Sequence, residues 1–189
     1  MKTAKAGKGA VAARGLRVWC VVGPLLLAVG LAPSGVRADV DVPAVRGQLV
    51  LPEEPAGAVS LAAAKAKLTT TPQPVVIAGR IGGRGMEPFL QNKASFSLLE
   101  IPTDDHAKKP GHDADDCVFC RKRNANSPMA AVQFLGADGK VIPVDARTLF
   151  GVQKGQDVVI RGTGVFDPKL GIPVLQVTAD GIHVRQPPK

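Results

Sequence analysis

Apolar residues recur at every second position in several short segments between residues 74 and 186. A two-residue period puts alternate side chains on opposite faces of a strand, so each segment is predicted to form a β-strand with one buried face. None of these segments has the length and the 3.6-residue apolar period of a long helix. The sequence therefore predicts an all-β domain with five short strands: Val75 to Ile81, Ala94 to Ile101, Ala130 to Leu135, Gln156 to Phe166 and Val174 to Val184.

The connections between these strands favour a small closed barrel. Many short strands in an open sheet would leave exposed edges, and closure removes those edges. A helical turn is predicted from Ala146 to Phe150, because Asp145 can cap its start and Gly151 can end it. The fourth strand contains Gly162 and Gly164, and glycine within a strand marks a bend or a close approach of two backbones. A bent strand of this kind suits the wall of a narrow barrel.

Five strands with a helical turn between the third and the fourth resemble the OB-fold, and residues 149–164 are similar to the passage between those strands in that class. The chain also resembles small exported bacterial OB-fold proteins of unassigned function that carry a Cys-x2-Cys loop. The resemblance implies a five-stranded OB-like barrel over residues 74–186 with a binding role. A fold alone does not determine which ligand is bound.

The connection between the second and third predicted strands, residues 102–128, contains a cluster of metal-binding residue types. His106, His112, Cys117 and Cys120 follow the spacing His-x5-His-x4-Cys-x2-Cys. Zn²⁺ takes four nitrogen and sulfur donors in a tetrahedron, and a Cys-x2-Cys pair supplies two neighbouring ones. Loops of this length in a compact domain are usually either functional or disordered. The sequence predicts a metal site formed by these four residues, with zinc as the first choice and copper, as Cu(I), as the second.

Two other interpretations of the same residues stay open. An oxidising compartment favours a disulfide between Cys117 and Cys120, which would make the chain an exported thiol–disulfide protein. The remaining interpretation is a disordered loop with solvated histidines. Cys120 is followed by Arg121 rather than by histidine, which excludes the attachment motif of c-type haem. The third histidine, His183, is predicted to be a surface or hydrogen-bonded residue rather than a ligand.

The first 38 residues have the composition of a secretory signal peptide. They contain six of the 24 basic residues and no acidic residue, and a mostly apolar run follows from Val18 to Pro33. Val36 and Ala38 occupy the positions that the signal peptidase reads, so cleavage is expected after Ala38. The alternative is an uncleaved anchor, although the apolar run is shorter than the roughly 20 residues that span a bilayer. The mature protein is expected to be exported to the periplasm or the extracellular space, without membrane attachment.

Residues 39–73 are rich in proline and alanine and are predicted to form an extended arm or linker. One stretch departs from this pattern, from Ser60 to Leu68. Ser60 can cap a helix there, and the alanines and lysines that follow favour helix. A short helix over residues 60–68 is therefore expected.

The residue content argues against several classes of function. After residue 38 the chain has 18 basic and 16 acidic residues, and its sole tryptophan lies before that point. Proteins that bind single-stranded nucleic acid need a basic groove and exposed rings for stacking, so a nucleic-acid partner is not expected. No pattern of catalytic residues is present, so the protein is not expected to be an enzyme.

The sequence thus predicts an exported OB-like binding or structural module with a metal ion in the loop over residues 106–120. Its protein or saccharide partner is not identified. The alternative functions are a thiol–disulfide protein that uses Cys117 and Cys120, or an OB domain that binds oligonucleotides or oligosaccharides.

Overall fold

The computed structural model describes residues 40–103, 112, 117–123, 125–171 and 174–186. Within these residues, six strands form one sheet in the order β1-β2-β3-β4-β6-β5. The strands are β1 (Val59–Ser60), β2 (Gln73–Ile81), β3 (Ser95–Leu99), β4 (Met129–Phe134), β5 (Asp157–Val165) and β6 (Val174–Val184). The predicted signal peptide, residues 1–38, lies outside the described part of the chain.

An additional pairing between β2 and β5 closes the strands from β2 to β6 into a five-stranded barrel. β4 and β6 run parallel, whereas β2 pairs antiparallel with both β3 and β5, and β3–β4 and β5–β6 are also antiparallel. The predicted five strands are confirmed, and this closed barrel is compatible with an OB-like fold. The helical turn α4 (Ala146–Phe150) lies between β4 and β5 and has the predicted caps, Asp145 and Gly151.

The barrel interior is filled by aliphatic side chains and by a row of phenylalanine rings. Ile160 on β5 is fully buried and pairs with Ile77 on β2 and Ile182 on β6, which are also fully buried. The ring centroids of Phe96 and Phe134 lie 6.2 Å apart. Along β4, the buried residues Ala130, Val132 and Phe134 alternate with more exposed ones, as the predicted two-residue period requires.

Gly162 lies at an irregularity of β5 where two backbones come close together. The register with β6 shifts between Arg161 and Gly162, as in a β-bulge. A Cβ atom on Gly162 would lie 2.8 Å from the Cα atom of Ala179 and closer still to the carbonyl oxygen of Thr178. Only glycine fits this position without moving the backbone of β6.

We expect Gly162→Ala to lower the free energy of unfolding by about 1–3 kcal/mol, because the added methyl group overpacks two backbones. Gly47→Ala is the matched control. Gly47 lies in the helix α1 (Val42–Leu49) with open space around its Cα, so alanine there should stabilise by roughly 0.5–1 kcal/mol through helix propensity. Urea titrations measure the free energy of unfolding of both variants. Equal values for Gly162→Ala and Gly47→Ala would contradict the close approach of the two backbones at Gly162.

The structure differs from the predicted all-β domain with an extended arm, because part of residues 39–73 forms helices that pack on the barrel. The helix α2 (Leu61–Lys67) matches the predicted short helix, with the Ser60 hydroxyl accepting a hydrogen bond from the amide of Ala63 over 3.1 Å. Leu61 is fully buried, and β1 adds a short parallel strand beside β2. A few apolar residues at helical spacing are enough to dock these segments, despite the proline- and alanine-rich composition.

The helix α1 also begins within the segment that was predicted to be extended. Pro43 lies in its first turn, where proline is well tolerated, and the Asp41 carboxylate accepts a hydrogen bond from the amide of Ala44 over 3.1 Å. Val42, Val45 and Leu49 pack against the core. Proline therefore starts a helix here rather than preventing one.

The chain after α1 is tied to the end of β6. The amide of Leu51 donates to the carbonyl of Ile182 over 2.8 Å. The Nδ1 atom of His183 lies 3.1 Å from the carbonyl oxygen of Leu51, which confirms a hydrogen-bonded histidine at this position. Hydrogen bonds from the Arg185 guanidinium hold the pKa of the Glu54 carboxyl below its ordinary value, so this pair is ionised at neutral pH.

In the described part of the chain, no helix has both the length and the apolar character needed to cross a membrane.

Candidate metal centre

The connection between β3 and β4 contains a helix where the sequence predicted an irregular loop. This helix, α3 (Val118–Arg123), begins directly after Cys117 and places Cys120 in its first turn. The amide of Arg121 donates to the carbonyl of Cys117 over 2.9 Å, as in an α-helix. Residues three apart lie on the same side of a helix. The Cys-x2-Cys spacing therefore brings both sulfur atoms to one side of α3.

His112 joins the two cysteines at this side of α3. The ligand atoms of His112, Cys117 and Cys120 all lie within 4.8 Å of one another. The Nε2 atom of His112 is 3.3 Å from the Sγ atom of Cys120. With zinc bonds of about 2.3 Å to sulfur and 2.0–2.1 Å to nitrogen, tetrahedral ligands lie roughly 3.6–3.8 Å apart. The three donors therefore need only small movements to surround one ion.

The cluster has a buried side and a side nearer the solvent. Cys120 is 1% exposed, whereas Cys117 and His112 are half-buried. The two residues between the cysteines face the solvent, with Val118 65% and Phe119 78% exposed. A buried thiolate needs a positive partner, because burying an unpaired charge is costly. A metal ion at this cluster would supply that charge.

The structure brings together three of the four predicted ligands. His106 lies outside the described residues, so its place in the predicted site is not part of this geometry. The sulfur atoms of Cys117 and Cys120 are not joined by a disulfide bond in this structure. His183 is held by the N-terminal segment at the end of β6, as described above.

The contacts that support α3 could not be predicted from the sequence. The connection from β2 to β3 begins with residues 82–85, Gly-Gly-Arg-Gly, which we call the glycine–arginine turn. From this turn, Arg84 donates hydrogen bonds to the carbonyls of Ala125 (2.9 Å) and Ser127, both located between α3 and β4. The sequence signal was an arginine between glycines, a pattern that suggests a tight turn but not a partner about 40 residues away.

A separate cleft of about 210 Å³ lies on the outer face of the barrel. Among the described residues, its lining carries no charged side chain and no aromatic ring, and the Ser95 hydroxyl there already donates to the carbonyl of Val132 over 2.8 Å. These lining residues therefore do not include the basic and aromatic groups that bind nucleic acid. The lining residues are Ser95, Ala131, Val132, Gln133, Leu170, Val174 and Gln176.

No protein-family model matches this chain, and no curated protein matches it significantly.

Proposed function

We propose that the protein is an exported metal-binding module, in which an OB-like barrel carries one zinc ion on His112, Cys117 and Cys120. The observation that carries this proposal is the approach of the three ligand atoms to within 4.8 Å of one another. The two sulfur atoms and one imidazole nitrogen are a donor set that zinc prefers in structural sites.

His106 is the proposed fourth ligand, on the basis of its spacing from His112 in the sequence. Four protein ligands would leave no open position for a water nucleophile, so the proposed role is structural or binding rather than catalytic. The ion would join α3 to the chain around His112. Cu(I) is the second candidate metal, because two thiolates also suit a soft ion.

Export to the periplasm or the extracellular space is part of the proposal. Its support is the basic start, the apolar run and the Ala38 cleavage position in residues 1–38. Intact mass of the purified protein tests this part. A chain that begins at Asp39 is expected, and a membrane-bound product that retains residues 1–38 would contradict it.

The alternative function is a thiol–disulfide protein, which the placement of both sulfur atoms on one side of α3 also suits. Two thiolates close enough to share an ion are close enough to be oxidised together by a small disulfide. An oxidised pair would hold no metal, and replacing either histidine would leave the disulfide unchanged.

Elemental analysis combined with thiol titration separates these functions. The protein is purified from the exported fraction without added metal. We expect one zinc per chain, and two reactive thiols after chelation. No bound metal, together with a mass about 2 Da below that of the dithiol, would overturn the metal site in favour of the disulfide.

A further inference from the structure

Arg84 occupies a backbone conformation that arginine rarely adopts. Its φ angle is 56°, in the left-handed region. Asn92 has a similar φ of 54°, but asparagine tolerates this region far better than a long side chain does. An arginine held in this conformation requires compensating interactions from its surroundings.

Those interactions come from the segment that follows α3. The planar guanidinium of Arg84 donates from two nitrogen atoms to two carbonyls, those of Ala125 and Ser127. The fixed fork of an arginine suits two acceptors at once, and a lysine ammonium cannot reproduce it. Arg84 thereby ties the segment between α3 and β4 to the glycine–arginine turn.

The same turn also contacts α3 itself. Gly85 has a φ of 88°, and the guanidinium of Arg121 occupies the space where a Cβ atom on Gly85 would project, with its Cζ atom 3.5 Å from that position. Arg121 directly follows Cys120 in the sequence. A side chain at residue 85 would therefore displace the guanidinium of Arg121 from the turn.

The turn is fixed to the barrel wall on its other side. The amide of Gly82 donates to the carbonyl of Ser97 over 3.2 Å, and the Ser97 hydroxyl donates back to the carbonyl of Gly82 over 2.8 Å. Ser97 belongs to β3. A continuous set of contacts thus runs from β3 through the turn to α3 and to the segment after it.

We infer that the glycine–arginine turn positions α3 before any ion binds, and that Arg84 is a positioning residue of the metal site. This inference rests on the proposed function for its effect on zinc. Contacts with the turn hold α3, which contains Cys120 and directly follows Cys117. The folded protein therefore orders these two ligands before an ion binds. Preorganisation of this kind increases affinity, because less conformational freedom is lost on binding.

Zinc affinity of Arg84 variants, measured by competition with a chelator, tests the inference. Loss of a group that orients metal ligands typically costs 10–100-fold in affinity, and we expect a loss of about that size for Arg84→Ala. Arg84→Gly relieves the backbone strain without restoring the fork, so it should lose affinity to a similar extent. Arg84→Lys should retain only part of the wild-type zinc affinity. The exposed Arg161 on β5 is the matched control, and Arg161→Ala should bind zinc as the wild type does.

Hydrogen exchange of the α3 amides in metal-free protein is the second measurement. Exchange of residues 118–123 should be faster in Arg84→Ala than in the wild type or Arg161→Ala, while the amides of β5 keep their protection. Wild-type exchange in Arg84→Ala would overturn the inference, as would a zinc affinity within about threefold of wild type, less than the 10–100-fold loss expected. If the wild type binds no zinc, the proposed function fails, and the exchange measurement alone decides whether the turn positions α3.

Discussion

Replacing Cys117 with serine is expected to weaken zinc binding by about 100- to 1,000-fold. Structural zinc sites with four ligands bind with about 10–16 kcal/mol, so one ligand accounts for roughly a quarter of that free energy. Cys117 is the cleaner position for this test, because its half-buried side chain leaves a serine hydroxyl in contact with solvent. A serine at Cys120, which is 1% exposed, would bury that hydroxyl.

His112→Ala should weaken zinc binding less than Cys117→Ser, because it removes a neutral ligand rather than an anionic one. His183→Ala is the matched control, since this histidine is hydrogen-bonded to the carbonyl of Leu51 at the end of β6. Chelator competition measures all three variants. Equal zinc affinities for Cys117→Ser and the wild type would eliminate the site.

The barrel should remain folded when these ligands are changed. Among the described residues, the buried core cluster contains none from residues 102–128. Unfolding of the whole domain on loss of zinc would therefore contradict this description of the core.

Ile160→Ala is expected to lower the free energy of unfolding by about 2–5 kcal/mol. Ile160 is fully buried between β2 and β6, and its truncation leaves a cavity that the surrounding strands cannot fill. Urea titration measures this loss. An unchanged slope of the unfolding free energy against urea concentration would show that the unfolded state is unaffected.

The neighbouring Arg161 is the control for this prediction. Its side chain lies on the outer face, with Nε 2.6 Å from the Oδ1 atom of Asp180, and both side chains are largely exposed. Exposed ion pairs contribute little to the free energy of unfolding, so Arg161→Ala should lower it by about 0.5 kcal/mol or less. The reverse order of effects would mean that the register of β5 is wrong.

The five barrel strands could be predicted from the sequence because their signal is local. On β5, the buried Ile160 and the exposed Arg161 lie on opposite faces, as the two-residue apolar period of the sequence requires. Asp145 and Gly151 marked the two ends of α4 for the same reason, since helix caps act through adjacent backbone groups.

The segments before the barrel could not be predicted in the same way. Composition indicated an arm, yet α1 packs against the distant strand β6, and just after α1 the amide of Leu51 donates to the carbonyl of Ile182. A short helix is marginal alone and becomes stable where it docks. Whether it docks depends on residues more than 100 positions away in the sequence.

For the candidate site, too, some features could be predicted from the sequence and others depended on the tertiary structure. The sequence by itself determined that His112, Cys117 and Cys120 are close along the chain and suited to a metal, because spacing and side-chain chemistry are local properties. Only the tertiary structure decided that α3 turns the sulfur atom of Cys120 to within 3.3 Å of the His112 ring. It also decided that Arg84, from the other side of β3, holds the segment after α3. Such contacts exist only once the barrel has formed and has brought two separate connections to the same place.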